Sequence, residues 1–219
     1  MVHERRPHHY IHALNRRWLT PLYDPLMRLT MRESVFKPML VRQAGIQPGE
    51  SVLDLGCGTA TLTILIKQTY PEARVVGLDG DAGVLEIARA KAAAAGAAIH
   101  LDLGMAYALP YSDGAFDHVV SSLVLHHLTR ADKQQTMREV FRVLRPGGGL
   151  HVVDFGPPRS RPMRLAAAIM RRLEETADNF DGLLPGMFAE AGFAMVEEAA
   201  QFATLFGPLS LYRAQKPAS

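Results

Sequence analysis

The feature that most constrains the fold is the stretch VLDLGCGTA at residues 52–60, where an apolar run ends in a turn of small residues. Apolar residues recur at helical spacing directly after it, from Leu62 to Tyr70, so the turn is predicted to join a strand to a helix. Glycines let the backbone approach a ligand closely, and the first turn of a helix offers free N–H groups to an anionic group. We therefore interpret this turn as a loop that binds a nucleoside cofactor.

The glycine spacing distinguishes between classes of nucleoside cofactor. A dinucleotide loop has the pattern G-x-G-x-x-G/A, but counting from Gly56 places Gly58 third and Thr61 sixth. An NAD-dependent oxidoreductase is therefore disfavoured. Asp79 ends a second apolar run, and its carboxylate can accept hydrogen bonds from the hydroxyls of a ribose. This contact would suit a dinucleotide or another nucleoside cofactor, so Asp79 does not distinguish between them. Its alternative role is to cap the helix that follows, for which Asp81 is better placed.

Several motifs together resemble those of the class I S-adenosylmethionine-dependent methyltransferases. The loop reads D-x-G-x-G-x-A over residues 54–60, residues 109–117 read LPYSDGAFD, residues 126–128 read HHL and residues 144–148 read LRPGG. The chain is most similar to the ubiquinone/menaquinone C-methyltransferase type, and the resemblance covers about residues 50–215.

The resemblance implies an α/β fold with a Rossmann-like seven-stranded sheet of order 3-2-1-4-5-7-6, an antiparallel last strand and helices on both faces. Independently of the resemblance, strands that alternate with helices from Ser51 onward favour a mostly parallel sheet, to which the closing hairpin would add an antiparallel strand. We expect an N-terminal helical lid over residues 1–45 and a methyltransferase domain over residues 46–219, with an insertion at 156–180. The predicted strands are 51–55, 74–78, 98–103, 118–122, 150–155, 193–206 and 209–214, with turns at 145–149 and 207–208. Beyond the glycine turn, the predicted helices are 82–95, 131–144, 161–177 and 183–191.

The resemblance also implies S-adenosylmethionine as the cofactor, with S-adenosylhomocysteine as its product. It assigns the methionine portion of the cofactor to Asp54 and to the glycine loop with Gly56 and Gly58. It assigns the ribose to Asp79, with Gly80 beside it.

The adenine contact departs from the family pattern. Met105 stands where an acid usually accepts from the adenine amino group, so we expect the base to pack on the thioether and to contact backbone groups of Met105 and Ala106. Asp102 lies two positions before the loop and need not reach the base. Ser121 and Ser122 are expected beneath the methionyl chain, and hydroxyls that only satisfy the strand end are the alternative.

Methyl transfer from a sulfonium is an in-line displacement at an activated carbon, so the protein contributes mainly alignment and exclusion of water. A base is needed only when the accepting atom carries a proton. His126 is a candidate base, with packing of His126 and His127 beneath the lid as the alternative. Tyr23 is a candidate to orient the acceptor, or an aromatic anchor of the lid. No metal site is predicted, because His8 and His12 have a suitable spacing but no third ligand.

Composition narrows the class of partner. The formal net charge is +2 and no basic run is interleaved with aromatic residues, so no nucleic acid is predicted. Cys57 is the only cysteine and the start has no secretory signal, which favours a cytoplasmic protein. No run of about 18 apolar residues predicts a membrane span.

The expected partner is a small-molecule or lipid-like methyl acceptor. Arginines in the lid and the insertion suggest an anionic or membrane-resident substrate and peripheral membrane contact, with solvated helix faces as the alternative. They are Arg16, Arg17, Arg28, Arg32, Arg159, Arg161, Arg164, Arg171 and Arg172. The alternative function is a non-catalytic S-adenosylmethionine-binding assembly factor of the same fold, against which the intact loop and Asp79 argue.

Overall fold

The computed structural model describes residues 31–170 and 175–218. The strands are Ser51–Leu55 (β1), Arg74–Asp79 (β2), His100–Leu103 (β3), Phe116–Ser122 (β4), Leu144–Phe155 (β5), Ala194–Thr204 (β6) and Gly207–Gln215 (β7). The helices are Glu33–Ala44 (α1), Thr61–Thr69 (α2), Ala82–Ala94 (α3), Arg130–Val143 (α4), Arg161–Met170 (α5), Ala177–Phe180 (α6) and Leu184–Glu190 (α7), with a 3₁₀ turn at Leu125–His127. The seven strands form one sheet in the order β3-β2-β1-β4-β5-β7-β6, which confirms the predicted order.

Strand directions place five strand ends together. The strands β1 to β5 are parallel, whereas β7 is antiparallel to both β5 and β6. The carboxyl ends of β1 to β5 therefore lie at one edge of the sheet, here called the carboxyl edge. Because β1 pairs with both β2 and β4, the crossovers diverge at β1, where open α/β sheets bind ligands.

Both faces of the sheet are covered because successive strand residues point to opposite sides. All five residues of β1 are buried. Val52 belongs to a core cluster with Phe36 of α1, whereas Leu53 belongs to a second cluster with Val140 of α4. Helices α1 and α2 thus cover one face, and α4 and α7 cover the other.

Most predicted boundaries agree with the structure within two residues, and β1 was predicted with its observed bounds. Asp81 caps α3 as expected, since its side chain accepts from the N–H groups of Gly83 and Val84. Asp79 is therefore not needed as a cap.

The turn predicted at residues 145–149 is wrong, because β5 runs continuously from Leu144 to Phe155. Its register against β4 shifts between Phe116 and His118, and Gly147 adopts a positive φ of 78°. This segment also pairs with the C-terminal chain, where Lys216 donates its N–H to the carbonyl of Gly148. Glycine tolerates the irregular backbone, and distant partners convert a turn signal into a strand.

The hairpin turn predicted at residues 207–208 is also displaced. Strand β6 ends at Thr204 and β7 begins at Gly207, so the turn is Leu205-Phe206. Pro208 lies near the start of β7, where its carbonyl accepts from Gly156 N–H. A proline is tolerated at the beginning of a strand, because its missing N–H interrupts few ladder hydrogen bonds.

The helix predicted at 161–177 is confirmed over Arg161–Met170, but it does not continue to Ala177 because residues 175 and 176 are not helical. Helix α5 ends at Met170 within the described residues, and α6 begins separately at Ala177. The backbone carbonyl of Glu175 accepts from the buried Lys133 ammonium at 2.7 Å. This tertiary contact holds the backbone at Glu175 independently of helical periodicity.

The predicted lid overlaps the described residues only in part. Residues 33–44 form α1, and its Phe36 and Leu40 are fully buried in the core. Residues 1–30 lie outside the described residues, so the division into lid and domain stays a prediction. Within the described ranges, no helix combines the length and apolar character that crossing a bilayer requires.

Candidate functional site

The carboxyl edge brings together predicted residues that are distant in sequence. Asp54 lies in β1 opposite Gly77 of β2 and Val120 of β4, while Asp79 is the last residue of β2. Ser122 ends β4 opposite Val153 of β5. Parallel pairing thus aligns the ends of four strands.

The glycine loop is bonded to the end of β2. The N–H groups of Gly56 and Cys57 both donate to the carbonyl of Leu78, at 2.8 and 3.0 Å. Gly58 donates its N–H to Asp79 Oδ2 at 2.9 Å. A Cβ added at Gly56 would overlap the side chain of Val124, and its φ of 71° also favours glycine.

Asp79 is a half-buried carboxylate held by backbone donors. Its Oδ1 accepts from the N–H of Asp81 at 3.0 Å, in addition to the contact of Oδ2 with Gly58. Burial raises the pKa of Asp79, against the opposing effect of the N–H groups of Asp81, Gly58 and Gly80. The carboxylate is therefore fixed in orientation at the mouth of the loop.

This arrangement fits a nucleoside diol. No described atom lies within 4 Å of a Cβ built on Gly58, so the backbone leaves open space beside the carboxylate. A carboxylate can accept from two neighbouring hydroxyls, and each of its oxygens has more than one acceptor site. Asp79 can thus keep its backbone contacts and still accept from a ribose.

Asp54 is much more deeply buried, with 1% of its surface exposed. Its Oδ2 accepts from the hydroxyl of Thr63 at 2.6 Å. Burial raises the pKa of Asp54 to about 6, although the Thr63 hydroxyl and the charge of Lys37 act in the opposite direction. Asp54 thus supports the loop from beneath, and its predicted contact with the methionine portion stays a prediction.

The predicted adenine residues follow the end of β3. Gly104 donates its N–H to the carbonyl of Asp79, and Met105 and Ala108 form an isolated bridge that encloses Ala106. Asp102 is engaged elsewhere, because Tyr111 donates its hydroxyl to Asp102 Oδ2 at 2.8 Å.

The two serines at the end of β4 differ. Ser121 is buried and donates its hydroxyl to the carbonyl of Leu55 at 3.1 Å, so it satisfies a strand end. Ser122 is half-buried and faces the opposite side. Ser121 thus follows the alternative of strand-end satisfaction, whereas the place of Ser122 beneath the methionyl chain stays a prediction.

His126 is buried in the 3₁₀ turn beside a carboxylate that sequence reasoning missed. Its Nδ1 lies 2.9 Å from Oδ1 of Asp154, near the end of β5. The ring packs against His127 and Phe155, with centroids 4.0 and 4.9 Å away. The sequence offered one signal for Asp154, because this acid stands within the otherwise apolar run VVDF at residues 152–155. Tyr23, the other predicted catalytic residue, lies outside the described residues.

Asp154 is fully buried and accepts hydrogen bonds on both oxygens. The N–H groups of Val124 and Leu125 donate to Oδ2, while Phe155 N–H and the Asn179 amide donate to Oδ1. Burial alone would raise the pKa of Asp154, but the adjacent His126 ring and the Phe155 N–H outweigh it and hold the pKa below its usual value. Asp154 is therefore ionised at neutral pH and lies within hydrogen-bond distance of the histidine.

A cavity of about 340 Å³ lies next to this edge. Glu33 and Lys37 of α1, Thr61 and Leu65 of α2 and Lys91 of α3 line it. None of the described residues that line it belongs to the predicted site.

Comparison with known proteins identifies relatives of one class. Residues 52–148 match the family described as methyltransferase domain. A demethylmenaquinone methyltransferase of Thermus thermophilus is 32% identical over 207 residues, covering 84% of this chain and 93% of the relative. A demethylmenaquinone methyltransferase of Listeria monocytogenes is 30% identical over 208 residues, covering 81% and 85%. The crystal structure of the YcgJ protein of Bacillus subtilis has the same fold, with a TM-score of 0.67, 17% identity and coverage of 84% and 98%.

Proposed function

Because the chain belongs to the class I S-adenosylmethionine-dependent methyltransferases of the menaquinone type, we propose that it methylates a carbon of a lipid-like, quinol-type small molecule. The relatives from Thermus and Listeria are both named for demethylmenaquinone. Such an acceptor is aromatic and apolar, as expected for the predicted lidded pocket.

The observation that carries the proposal is the contact between Asp79 and the glycine loop. It combines the two features that a nucleoside cofactor requires, a fixed carboxylate for the ribose and open backbone beside it. We propose that Asp79, with Gly80 beside it, binds the ribose of the cofactor. We propose that Asp54, Gly56 and Gly58 bind its methionine portion.

The remaining proposed cofactor contacts rest on where each residue lies along the carboxyl edge of the sheet. Ser122 is proposed to lie under the methionyl chain, and Met105 with Ala106 to pack on the adenine. S-adenosylmethionine supplies a methyl group that its sulfonium activates for in-line displacement. The chain then contributes alignment and exclusion of water.

His126 is proposed as the base that accepts the proton of a quinol hydroxyl, which makes the adjacent ring carbon nucleophilic. With Nδ1–H donating to Asp154, the other ring nitrogen, Nε2, carries the lone pair that can accept. The Asp154 anion stabilises the protonated ring, so Asp154 is a positioning residue. Val124, two residues before His126, packs against the glycine loop at Gly56, and this contact supports a role for the turn next to the proposed cofactor.

The test is methyl transfer from labelled cofactor to a reduced naphthoquinone that lacks the ring methyl group. We expect label in a product extractable into organic solvent. Cofactor that binds without any labelled product, even with a metabolite extract, would instead support the non-catalytic assembly factor.

Asp79→Ala tests the ribose assignment by calorimetry. We expect cofactor affinity to be abolished in Asp79→Ala without unfolding, and to fall roughly thirtyfold in Asp79→Asn, which keeps an acceptor for Gly58. Asp113→Asn is the matched control, because Asp113 is exposed and pairs with Arg142. Unchanged cofactor affinity in Asp79→Ala would remove the assignment.

A further inference from the structure

Helix α5 presents its largest apolar side chains to solvent. Leu165 and Ile169, one turn apart, are 69% and 58% exposed, whereas Ala167 is the buried residue of this helix. A helix that covers a sheet normally turns its apolar stripe inward. The exposure of Leu165 and Ile169 is therefore not explained by packing of the core.

The sequence in and around this helix is strongly basic. Residues 159–172 contain five arginines and no acidic residue. Arg159 pairs with Glu198 at 2.8 Å, but no salt bridge between described residues involves Arg161 or Arg164, which are both exposed. Apolar side chains flanked by arginines are typical of helices that lie in the interface of an anionic membrane.

The position of α5 relates it to the proposed site. Leu209 of β7 pairs with Phe155, the last residue of β5, so the β6–β7 turn lies at the carboxyl edge. Leu205 in that turn is 72% exposed. Helix α5 also follows the end of β5 and contacts β7. Helix α5, which begins six residues after the end of β5, and the turn with Leu205 are therefore both connected to strands at the carboxyl edge.

We propose that α5, together with Leu205, docks the protein on the surface of a bilayer that contains anionic phospholipid. The ten residues of α5 span about 15 Å, which suits a helix lying in the interface. The purpose of this docking rests on the proposed function, since a lipid-like acceptor could then reach the carboxyl edge from the bilayer. The binding itself requires neither cofactor nor acceptor.

The test is co-sedimentation of the full chain with vesicles of phosphatidylcholine that contain about one-third phosphatidylglycerol. We expect binding that weakens as salt is added, because exposed charges are screened. The variants Leu165→Ser/Ile169→Ser and Arg161→Gln/Arg164→Gln should each bind at least about tenfold more weakly.

Two matched controls remove comparable groups elsewhere. Met195 is 76% exposed and follows Ala194, which pairs with Gln215 at the opposite edge of the sheet. Arg89 is exposed on α3. Met195→Ser and Arg89→Gln should therefore bind vesicles as the unaltered chain does, and all variants should keep its thermal unfolding temperature.

Three outcomes would overturn the docking proposal. In the first, the unaltered chain does not sediment with anionic vesicles. In the second, it sediments equally with vesicles of pure phosphatidylcholine. In the third, both α5 variants bind anionic vesicles as strongly as the unaltered chain. Sedimentation velocity gives a fourth, because a self-associating chain that Leu165→Ser/Ile169→Ser makes monomeric would show that the face binds a second copy.

The docking and the proposed function fail separately. Methyl transfer to a short-chain, water-soluble acceptor should be unchanged in the α5 variants. Vesicle binding without transfer to any acceptor would contradict the function alone, whereas transfer without vesicle binding would contradict the docking alone.

Discussion

At the residue scale, three aspartates near one sheet edge acquire different properties from their surroundings. Burial raises the pKa of Asp54 to about 6 and also raises that of Asp79. For Asp154, the His126 ring and the Phe155 N–H outweigh burial and lower the pKa. The number and charge of the donors around each carboxylate, more than burial alone, therefore decide whether it readily holds a proton.

Asp54 should make stability depend on pH. Its folded pKa of about 6 lies above the ordinary value of 3.8, so ionisation costs the folded state more than the unfolded state. Asp54→Asn should therefore increase the free energy of unfolding relative to the unaltered chain, by an amount that grows between about pH 4 and 6 and levels off at roughly 3 kcal/mol. Urea unfolding at several pH values measures this difference. A difference that is constant with pH would contradict the raised pKa.

The His126–Asp154 contact should appear in kinetics. His126→Ala should lower kcat about a hundredfold at neutral pH with little change in cofactor affinity, and alkaline pH should restore part of the rate as the acceptor ionises by itself. Asp154→Asn should lower kcat less and alter the pH profile, because the histidine loses its anionic partner. His127→Gln is the neighbouring control. A His126→Ala protein with unaltered kcat would show that this histidine only packs.

At the element scale, the glycine loop depends on the neighbouring strand and turn as well as on its own sequence. The carbonyl of Leu78 accepts from two loop N–H groups, and Asp79 accepts from a third. Ala60, at the start of α2, adopts a φ of 61° although it is not glycine. Contacts to β2 thus hold the loop in a conformation that its residues alone would rarely adopt.

The two loop glycines should respond differently to a methyl group. Gly56→Ala should destabilise by about 2–4 kcal/mol, because backbone strain adds to the overlap with Val124. Gly58→Ala should cost about 1–2 kcal/mol from strain alone and should mainly weaken cofactor binding. Urea unfolding of both variants, with Gly56→Ala/Val124→Ala to measure the coupling, checks this. Equal destabilisation, or no coupling to Val124, would contradict the packing explanation.

At the scale of the whole molecule, the site is an edge that several crossovers share. Strands β1, β2, β4 and β5 each contribute an end, and the two core clusters hold these ends from opposite faces. Residues 33–44, the described end of the predicted lid, are anchored in one of these clusters through α1. The described end of the predicted lid is therefore fixed to the core.

Trp18 offers a direct test of the predicted lid. It is the only tryptophan of the chain and lies within residues 1–30. If this segment closes over the cofactor, saturating S-adenosylhomocysteine should shift the emission of Trp18 toward shorter wavelengths, because its ring leaves water. Trp18→Phe is the control that should abolish the signal. Unchanged emission, at a ligand concentration that calorimetry shows to be saturating, would contradict closure.

The sequence determined by itself the bounds of β1, the glycine loop and the Asp81 cap, because alternation, turn residues and helix capping are local signals. The motif resemblance added the strand order. Only the tertiary structure decided the partner of His126, since Asp154 lies 28 residues away in sequence and Asn179 a further 25. Likewise, long-range pairing with β4 and β7 extended β5 through a predicted turn. Side-chain partners and strand ends depend on neighbours that only packing brings together, and local patterns do not encode them.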